Sequence, residues 1–178
     1  MRNTLLLILF LSYLPAAMAN NNHEYYQIKL GAGAFNTADT TTGAPIISLG
    51  KRFEVGDAAI ELSTAWGGHK HANGDRFSYF TLPKFTYVMF HNPKENKGFY
   101  YGGGLSYGKL KHTADFYSQN SDTKFSGVFA EGTVGYEFKR NASICPIIYV
   151  DVSQPVIAES KQGSHPGPSL MLGMSVGF

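Results

Sequence analysis

Apolar and polar residues alternate with a period of two along most of the chain, most cleanly at its end. There Leu170, Leu172, Met174, Val176 and Phe178 fall on one face, and Ser169, Met171, Gly173, Ser175 and Gly177 on the other. Successive side chains of a strand point to opposite faces, so this predicts a strand with one apolar and one small or polar face. The split recurs upstream: Ile144, Pro146, Ile148, Val150 and Val152 oppose Cys145, Ile147, Tyr149, Asp151 and Ser153. Val128, Ala130, Val134, Tyr136 and Phe138 oppose Glu131, Thr133, Gly135 and Glu137, and Phe99, Tyr101, Leu105 and Tyr107 oppose Gly102, Gly104, Ser106 and Gly108. Ile60, Leu62, Thr64 and Trp66 oppose Ala59, Glu61, Ser63 and Ala65, and Ile47, Leu49 and Phe53 oppose Ser48, Gly50 and Arg52. The first strand sets Tyr26, Ile28, Leu30, Ala32 and Ala34 against Gln27, Lys29, Gly31 and Gly33, with Phe35 reading as a mismatch. In the fourth, Phe80 and Leu82 share one phase while Phe85, Tyr87 and Met89 share the other. A bulge at Pro83, which has no N–H for the ladder, would reconcile them.

No stretch after Asn20 holds helical spacing, so the expected fold is all-β: an eight-stranded antiparallel up-and-down transmembrane β-barrel. The connections alternate in length. Asn36–Gly43, Gly67–Asp75, Lys111–Asp122 and Gln154–Gly167 are the longer set, and Val55–Asp57, His91–Lys97 and Lys139–Ala142 the shorter. Long loops at one end and short turns at the other are how single-chain outer-membrane barrels are built, with the turns in the periplasm, so both termini are expected there.

The start of the chain changes the picture by supplying a route to that location. Met1, Arg2 and Asn3, the apolar run Leu5–Leu14 and the small-residue triplet Ala17-Met18-Ala19 have the build of a secretory signal peptide. The run is about half the length a spanning helix needs. Residues 1–19 are therefore expected to be cleaved and residues 20–178 to form one barrel domain. Cys145 is the single cysteine, so no internal disulfide framework exists and the cysteine reads as a small packed residue. A net charge of +2 with scattered Lys and Arg argues against nucleic acid.

A soluble lipocalin-like barrel shares the strand count, and the polar face separates the two readings. A solvated face carries many charges, whereas these polar positions are mostly Gly, Ser, Ala and Thr. The lone charges are Lys29, Arg52, Glu61, Lys84, Glu131, Glu137 and Asp151. Small residues suit the narrow lumen of an eight-stranded barrel, and the charges are expected to form an interior network of ion pairs, because an unpaired charge there is costly. Tyr25, Tyr26, Phe53, Phe99, Tyr136, Phe138 and Phe178 fall near one set of strand ends, and Trp66 and Tyr107 near the other. Interfacial aromatic girdles take that form.

The terminal alternation ending in Phe178, together with the segment Gly98–Gly108, resembles small outer-membrane β-barrels of the OmpA/OmpX type, over the whole mature length. The resemblance implies that Met174, Val176 and Phe178 form an assembly signal read by the outer-membrane insertion machinery. No peptidoglycan-binding domain is expected beside the barrel, and with it no cell-wall tethering.

Some barrels of this size modify lipid A, which needs a nucleophile and base within hydrogen-bond reach. His112 with Ser118 or Ser121, and His165 with Ser164, are the candidate pairs, and they read better as loop residues. His69-Lys70-His71 offers two imidazoles without further ligands, a weak metal site. Glu61, Glu131 and Glu137 read as salt-bridge partners and not as an acid/base pair. Lys109 and Lys111 stand where they could meet lipid phosphates or simply be solvated, and Asn141-Ala142-Ser143 reads as a turn. The expectation is a non-enzymatic cell-surface protein without cofactor, displaying its loops in a structural or adhesive role. Its expected partners are outer-membrane lipids including lipopolysaccharide, and a host or surface partner reached by the loops. The alternatives are a small pore, a lipid A-modifying enzyme and a secreted ligand-binding barrel.

Overall fold

Eight strands run antiparallel in chain order around a closed barrel in the computed structural model, which describes residues 24–37, 40–70, 74–116, 119–140, 142–160 and 166–178. They are β1 (Glu24–Thr37), β2 (Thr40–Val55), β3 (Ala58–Lys70), β4 (Arg76–Phe90), β5 (Gly98–Phe116), β6 (Gln119–Glu137), β7 (Cys145–Ser160) and β8 (Ser169–Gly177). The expected signal peptide lies outside the described residues. β8 closes on β1 from Gln27↔Gly177 to Phe35↔Ser169. Beyond the last pair, Tyr26 and Phe178 exchange backbone hydrogen bonds of 2.8 and 2.9 Å, so the chain zips shut to its final residue. Closure pairs the backbone groups of every strand with neighbours on both sides, the condition for spanning hydrocarbon with strands.

The pleat separates the two faces as the alternation predicts. Leu30, Phe85, Leu105, Val134, Val150, Leu172 and Met174 are exposed on the outside. Ser48, Glu61, Ser106, Thr133, Asp151 and Ser175 are buried on the inside. Pro83 does mark a bulge. Pairing with β5 passes from Thr81↔Gly108 to Lys84↔Ser106, and pairing with β3 from Ala65↔Thr81 to Ser63↔Lys84. Two residues, Leu82 and Pro83, therefore face one on each neighbour. The inward set changes from Phe77, Tyr79 and Thr81 to Lys84, Thr86, Val88 and Phe90. A second irregularity, where Val128↔Ile157 gives way to Phe129↔Pro155, was not legible in the pattern.

Several expectations need correcting. Phe35 is no mismatch: it belongs to the inward phase of β1 and is fully buried against Phe77 and Tyr79, with ring centroids 4.7 and 4.8 Å away. Tyr25 is also inward and Phe53 is covered, so neither joins an exposed girdle. The long connections are largely strand. Asn36 and Thr37 pair with Thr41 and Thr40, and β5 and β6 remain paired up to Phe116↔Gln119. Extra length at that end becomes paired hairpins, whose backbone groups find partners in the ladder.

Inside, bulky residues gather at the two ends. Tyr25, Val88, Phe90, Tyr100 and Ile147 cluster near the termini, and Phe35, Ile46, Phe77, Tyr79, Leu110, Phe125 and Met171 near the hairpin tips. Glycine makes the crowding tolerable. A Cβ on inward Gly104 would overlap the Phe85 carbonyl oxygen, and one on Gly135 would enter the Tyr100 ring. Gly103 faces outward, where a Cβ would approach nothing nearer than the Glu131 carbonyl oxygen at 3.4 Å.

Gly104→Val is therefore expected to lower the unfolding free energy of the refolded barrel by about 1–3 kcal/mol, and Gly103→Ala to change it by less than about 0.5 kcal/mol. Urea unfolding in detergent, followed through Trp66 fluorescence, measures both.

Candidate functional site

Charged groups in the middle of the lumen arise from inward positions on six strands, because the period-two pleat aims every second side chain at the axis. Lys29 on β1, Arg52 on β2, Glu61 on β3, Lys84 on β4, Glu131 and Glu137 on β6 and Asp151 on β7 are all buried. They form two clusters.

In the first, Lys29 Nζ donates to Glu61 Oε1 at 2.5 Å, and Arg52 Nη2 and Nε donate to Glu61 Oε2 at 2.8 and 3.3 Å. Arg52 Nη1 donates across the lumen to Glu137 Oε1 and to Tyr25 Oη, the latter at 3.0 Å. Tyr25 in turn donates to Glu137 Oε1 at 2.8 Å. The Arg52 guanidinium stands 4.6 Å from the Tyr100 ring centroid, and Lys29 Nζ stands 5.1 Å from that of Tyr149. The Gln27 amide fits between Arg52 and Glu61 with its oxygen 2.9 Å from Arg52 Nε and its nitrogen 3.3 Å from Glu61 Oε2.

In the second cluster Lys84 Nζ reaches Asp151 Oδ2 at 2.8 Å and Glu131 Oε2 at 3.2 Å. Thr133 donates to Asp151 at 2.6 Å, and Ser106 and Ser153 donate to Glu131 at 2.5 and 3.2 Å.

Arg140, which the alternation placed in a turn, completes the set. It folds back from the β6–β7 connection, donating from Nε to Glu137 Oε2 at 2.7 Å and from Nη1 to the Pro93 carbonyl at 3.1 Å. Its guanidinium lies 3.6 Å from the Phe90 ring centroid. With Arg140, four cations face four carboxylates. The first cluster holds Lys29, Arg52 and Arg140 against Glu61 and Glu137, the second Lys84 against Glu131 and Asp151, so their excesses of +1 and −1 cancel. One signal for Arg140 was available in the sequence: three interior cations against four anions left one carboxylate unmatched.

Other predicted residues are placed as follows. Met174, Val176 and Phe178 lie exposed on the outward face of the β8 end. His112 is buried on the inward face of β5, in register with Phe77 and Thr123. Ser118, Ser164, His165, His71 and Asn141 lie outside the described residues, and Ser121 is described only by its place in β6. Among the described residues no group of three His, Cys, Asp or Glu is arranged to hold a metal ion. Cys145 is buried in the cluster near the termini. Lys51, overlooked in the alternation, is a charge on the outward face. It pairs with Glu24 at 2.6 Å and stands 5.2 and 4.8 Å from the Tyr26 and Phe53 ring centroids.

An apolar outside and a charged, filled inside on eight antiparallel strands define the class of fold, that of small outer-membrane β-barrels. No family model matches the sequence, and no curated protein matches it either. Solved structures match throughout. The chain is similar to Neisserial surface protein A, at 9% identity and a TM-score of 0.71, over 89% of this chain and 98% of that one. It is also similar to the attachment invasion locus protein Ail of Yersinia pestis, crystallised with the heparin analogue sucrose octasulfate, at 14% identity and a TM-score of 0.56, over 89% and 100%. The outer membrane protein OprG of Pseudomonas aeruginosa aligns at 11% identity with a TM-score of 0.55, over 88% and 97%.

Removing one member of a buried pair leaves its partner uncompensated. Lys84→Met is expected to destabilise the refolded barrel by about 3–5 kcal/mol. Adding Glu131→Gln and Asp151→Asn should recover most of that loss, read from the urea midpoints of the single and triple variants.

Proposed function

We propose that residues 1–19 direct export and are cleaved, and that residues 20–178 insert into the outer membrane as a non-enzymatic barrel with both termini in the periplasm. There the barrel holds its hairpins above the cell surface in a structural or adhesive role. The observation that carries this reading is the inversion of polarity. At mid-height the outward residues are apolar around the wall, while the charges on the inward face are buried and paired with one another. A soluble ligand-binding barrel needs the opposite arrangement.

The filled lumen argues against a pore. Apolar clusters occupy both ends, charge clusters occupy the middle, and an eight-stranded wall leaves room for little more than side chains. His112, the candidate base whose side chain is described, is buried on the inward face of β5 and not on the lipid-facing wall.

Partner recognition belongs to the hairpins. A transmembrane strand needs about 9–11 residues, and β5 and β6 have 19 each. From Lys109 to Phe116 the β5–β6 hairpin rises about 20 Å beyond the outward apolar belt at the usual rise and tilt. Such a ribbon offers backbone edges and side chains to a host or environmental surface, and the complex of Ail with a heparin analogue shows a neighbour of this fold with a bound polyanion. Outer-membrane lipids including lipopolysaccharide surround the wall in this reading, and the insertion machinery meets Met174, Val176 and Phe178 on the accessible strand end.

Cells expressing the gene should yield the protein in the outer-membrane fraction, with a band that shifts on SDS gels between unboiled and boiled samples; a soluble, unshifted band would refute the reading. Phe178→Ala should lower the amount inserted in cells severalfold while the purified chain still refolds in detergent. Equal loss in both settings would make Phe178 a stability residue and remove the signal.

A further inference from the structure

We propose that the lower rim of the barrel, at the β4–β5 and β6–β7 turns, binds the headgroup of an anionic phospholipid of the inner leaflet, held by Lys94, Lys97 and Lys139. The proposal rests on the outer-membrane reading above, in which this end faces the periplasm.

Two turns build the platform. The β4–β5 turn carries Lys94 and Lys97, and the β6–β7 turn carries Lys139. Strands β5 and β6 pair down to Gly98↔Glu137, and below that pair the two turns bond directly to each other. Arg140 N donates to the Asn96 carbonyl at 2.6 Å, and Arg140 Nη1 donates to the Pro93 carbonyl at 3.1 Å. Each bonded residue is a chain neighbour of a lysine: Pro93 of Lys94, Asn96 of Lys97, and Arg140 of Lys139. Three long cationic side chains therefore stand on backbone fixed by the same arginine that completes the lumen network.

All three lysines are exposed. Glu95 is the one carboxylate in either turn, and Asn92 Nδ2 donates to it at 3.3 Å. Glu137, just above, is taken up by Arg52, Tyr25 and Arg140. Lys94, Lys97 and Lys139 against Glu95 leave these turns positive. Elsewhere on this end, among the described residues, Glu24, Glu54 and Asp57 stand on β1, β2 and the β2–β3 turn, where Lys51 pairs with Glu24. The rim is thus polarised from one side to the other, and an anionic ligand is drawn to the sector under β5 and β6.

What adjoins the lysines selects the class of anion. Phe99 and Phe138 lie immediately above them, 59% and 48% exposed, with Tyr136 between at ring-centroid distances of 4.9 and 5.1 Å. Ile144, 61% exposed, follows in the same β6–β7 turn. Lys97 is two residues below Phe99, about 7 Å of extended chain, and the headgroup layer of one leaflet is about 5–8 Å thick. An acidic protein would leave the aromatic edge without a partner. A phospholipid meets both features at once, its phosphate at the ammonium groups and the start of its acyl chains against the rings.

The test uses the mature barrel refolded in detergent and titrated with phosphatidylglycerol, with phosphatidylcholine, with the free headgroup glycerophosphoglycerol, and with a poly-glutamate peptide. Binding is read by native mass spectrometry, and the heat-dependent gel shift is recorded on every sample. Phosphatidylglycerol should bind at least about tenfold more tightly than phosphatidylcholine, whose choline cancels the phosphate charge, and than the free headgroup. The triple variant Lys94→Gln, Lys97→Gln, Lys139→Gln should lose about tenfold or more of the phosphatidylglycerol affinity, and with it the preference over phosphatidylcholine. An equal charge change at the opposite rim, Lys70→Gln, Arg76→Gln, Lys109→Gln, should leave that affinity unchanged. Unchanged affinity in the lower-rim variant, or an equal loss in the upper-rim one, would overturn the proposal. Free headgroup bound as tightly as the lipid would assign the site to a soluble anion, and poly-glutamate bound more tightly would assign it to an acidic protein; either result also overturns it. A heat-shifted barrel with no preference for phosphatidylglycerol fails this proposal alone, whereas a chain with no shift fails the outer-membrane reading beneath it.

Discussion

An open sheet edge leaves a row of N–H and C=O groups without partners, so the pairing of β8 with β1, which closes the sheet, is the contact on which the rest of this molecule depends. Once the sheet closes, the wall has an inside and an outside, and the pleat assigns every residue to one of them. A strand count of eight makes the inside narrow. Narrowness explains the small residues on the inward face, and it explains why Tyr100 can lie flat over the wall only where Gly135 has no side chain.

Confinement also imposes charge balance. A cation in the lumen has lost its water, and only an opposite charge at bonding distance offsets that loss. The two clusters meet this demand by bridging strands that are not neighbours in the sheet: Lys29 of β1 to Glu61 of β3, Arg52 of β2 to Glu137 of β6, Lys84 of β4 to Glu131 of β6 and Asp151 of β7. These bonds brace the barrel across its diameter, where the backbone ladder makes no connection. They also discriminate against register errors. A slip of one residue would turn such a charge away from its partners and onto the apolar outer face.

The outer surface changes character along the axis. Its middle is uniformly apolar, its lower rim holds Lys51 in a Glu24 pair against Tyr26 and Phe53, and its upper rim collects lysines above Phe80 and Tyr107. Above that rim the wall continues as hairpins. The strands therefore form first an apolar-faced wall and then paired ribbons that continue past it.

Strand number, face assignment and the bulge at Pro83 were legible because period-two alternation is a local property: each residue's side follows from its neighbours and from the constraint that proline cannot donate. The seven lumen charges were legible for the same reason, as charges on the small-residue face. What escaped the pattern was non-local. Phe35 looked like a mismatch until Phe77 and Tyr79 arrived from β4 to cover it, and the hairpin-forming segments looked like loops because polar residues pair in a ladder as readily as apolar ones beyond the apolar belt. Arg140 sits outside any alternating run, and only the fold of the β6–β7 connection brings it to Glu137 and Phe90. The facing of Lys111 and Lys124 depends on the register of β5 against β6, which is set by the whole hairpin and its closure into the barrel. Alternation along a strand decides which way a side chain points; which side chain it meets there is decided by register, and register belongs to the closed sheet.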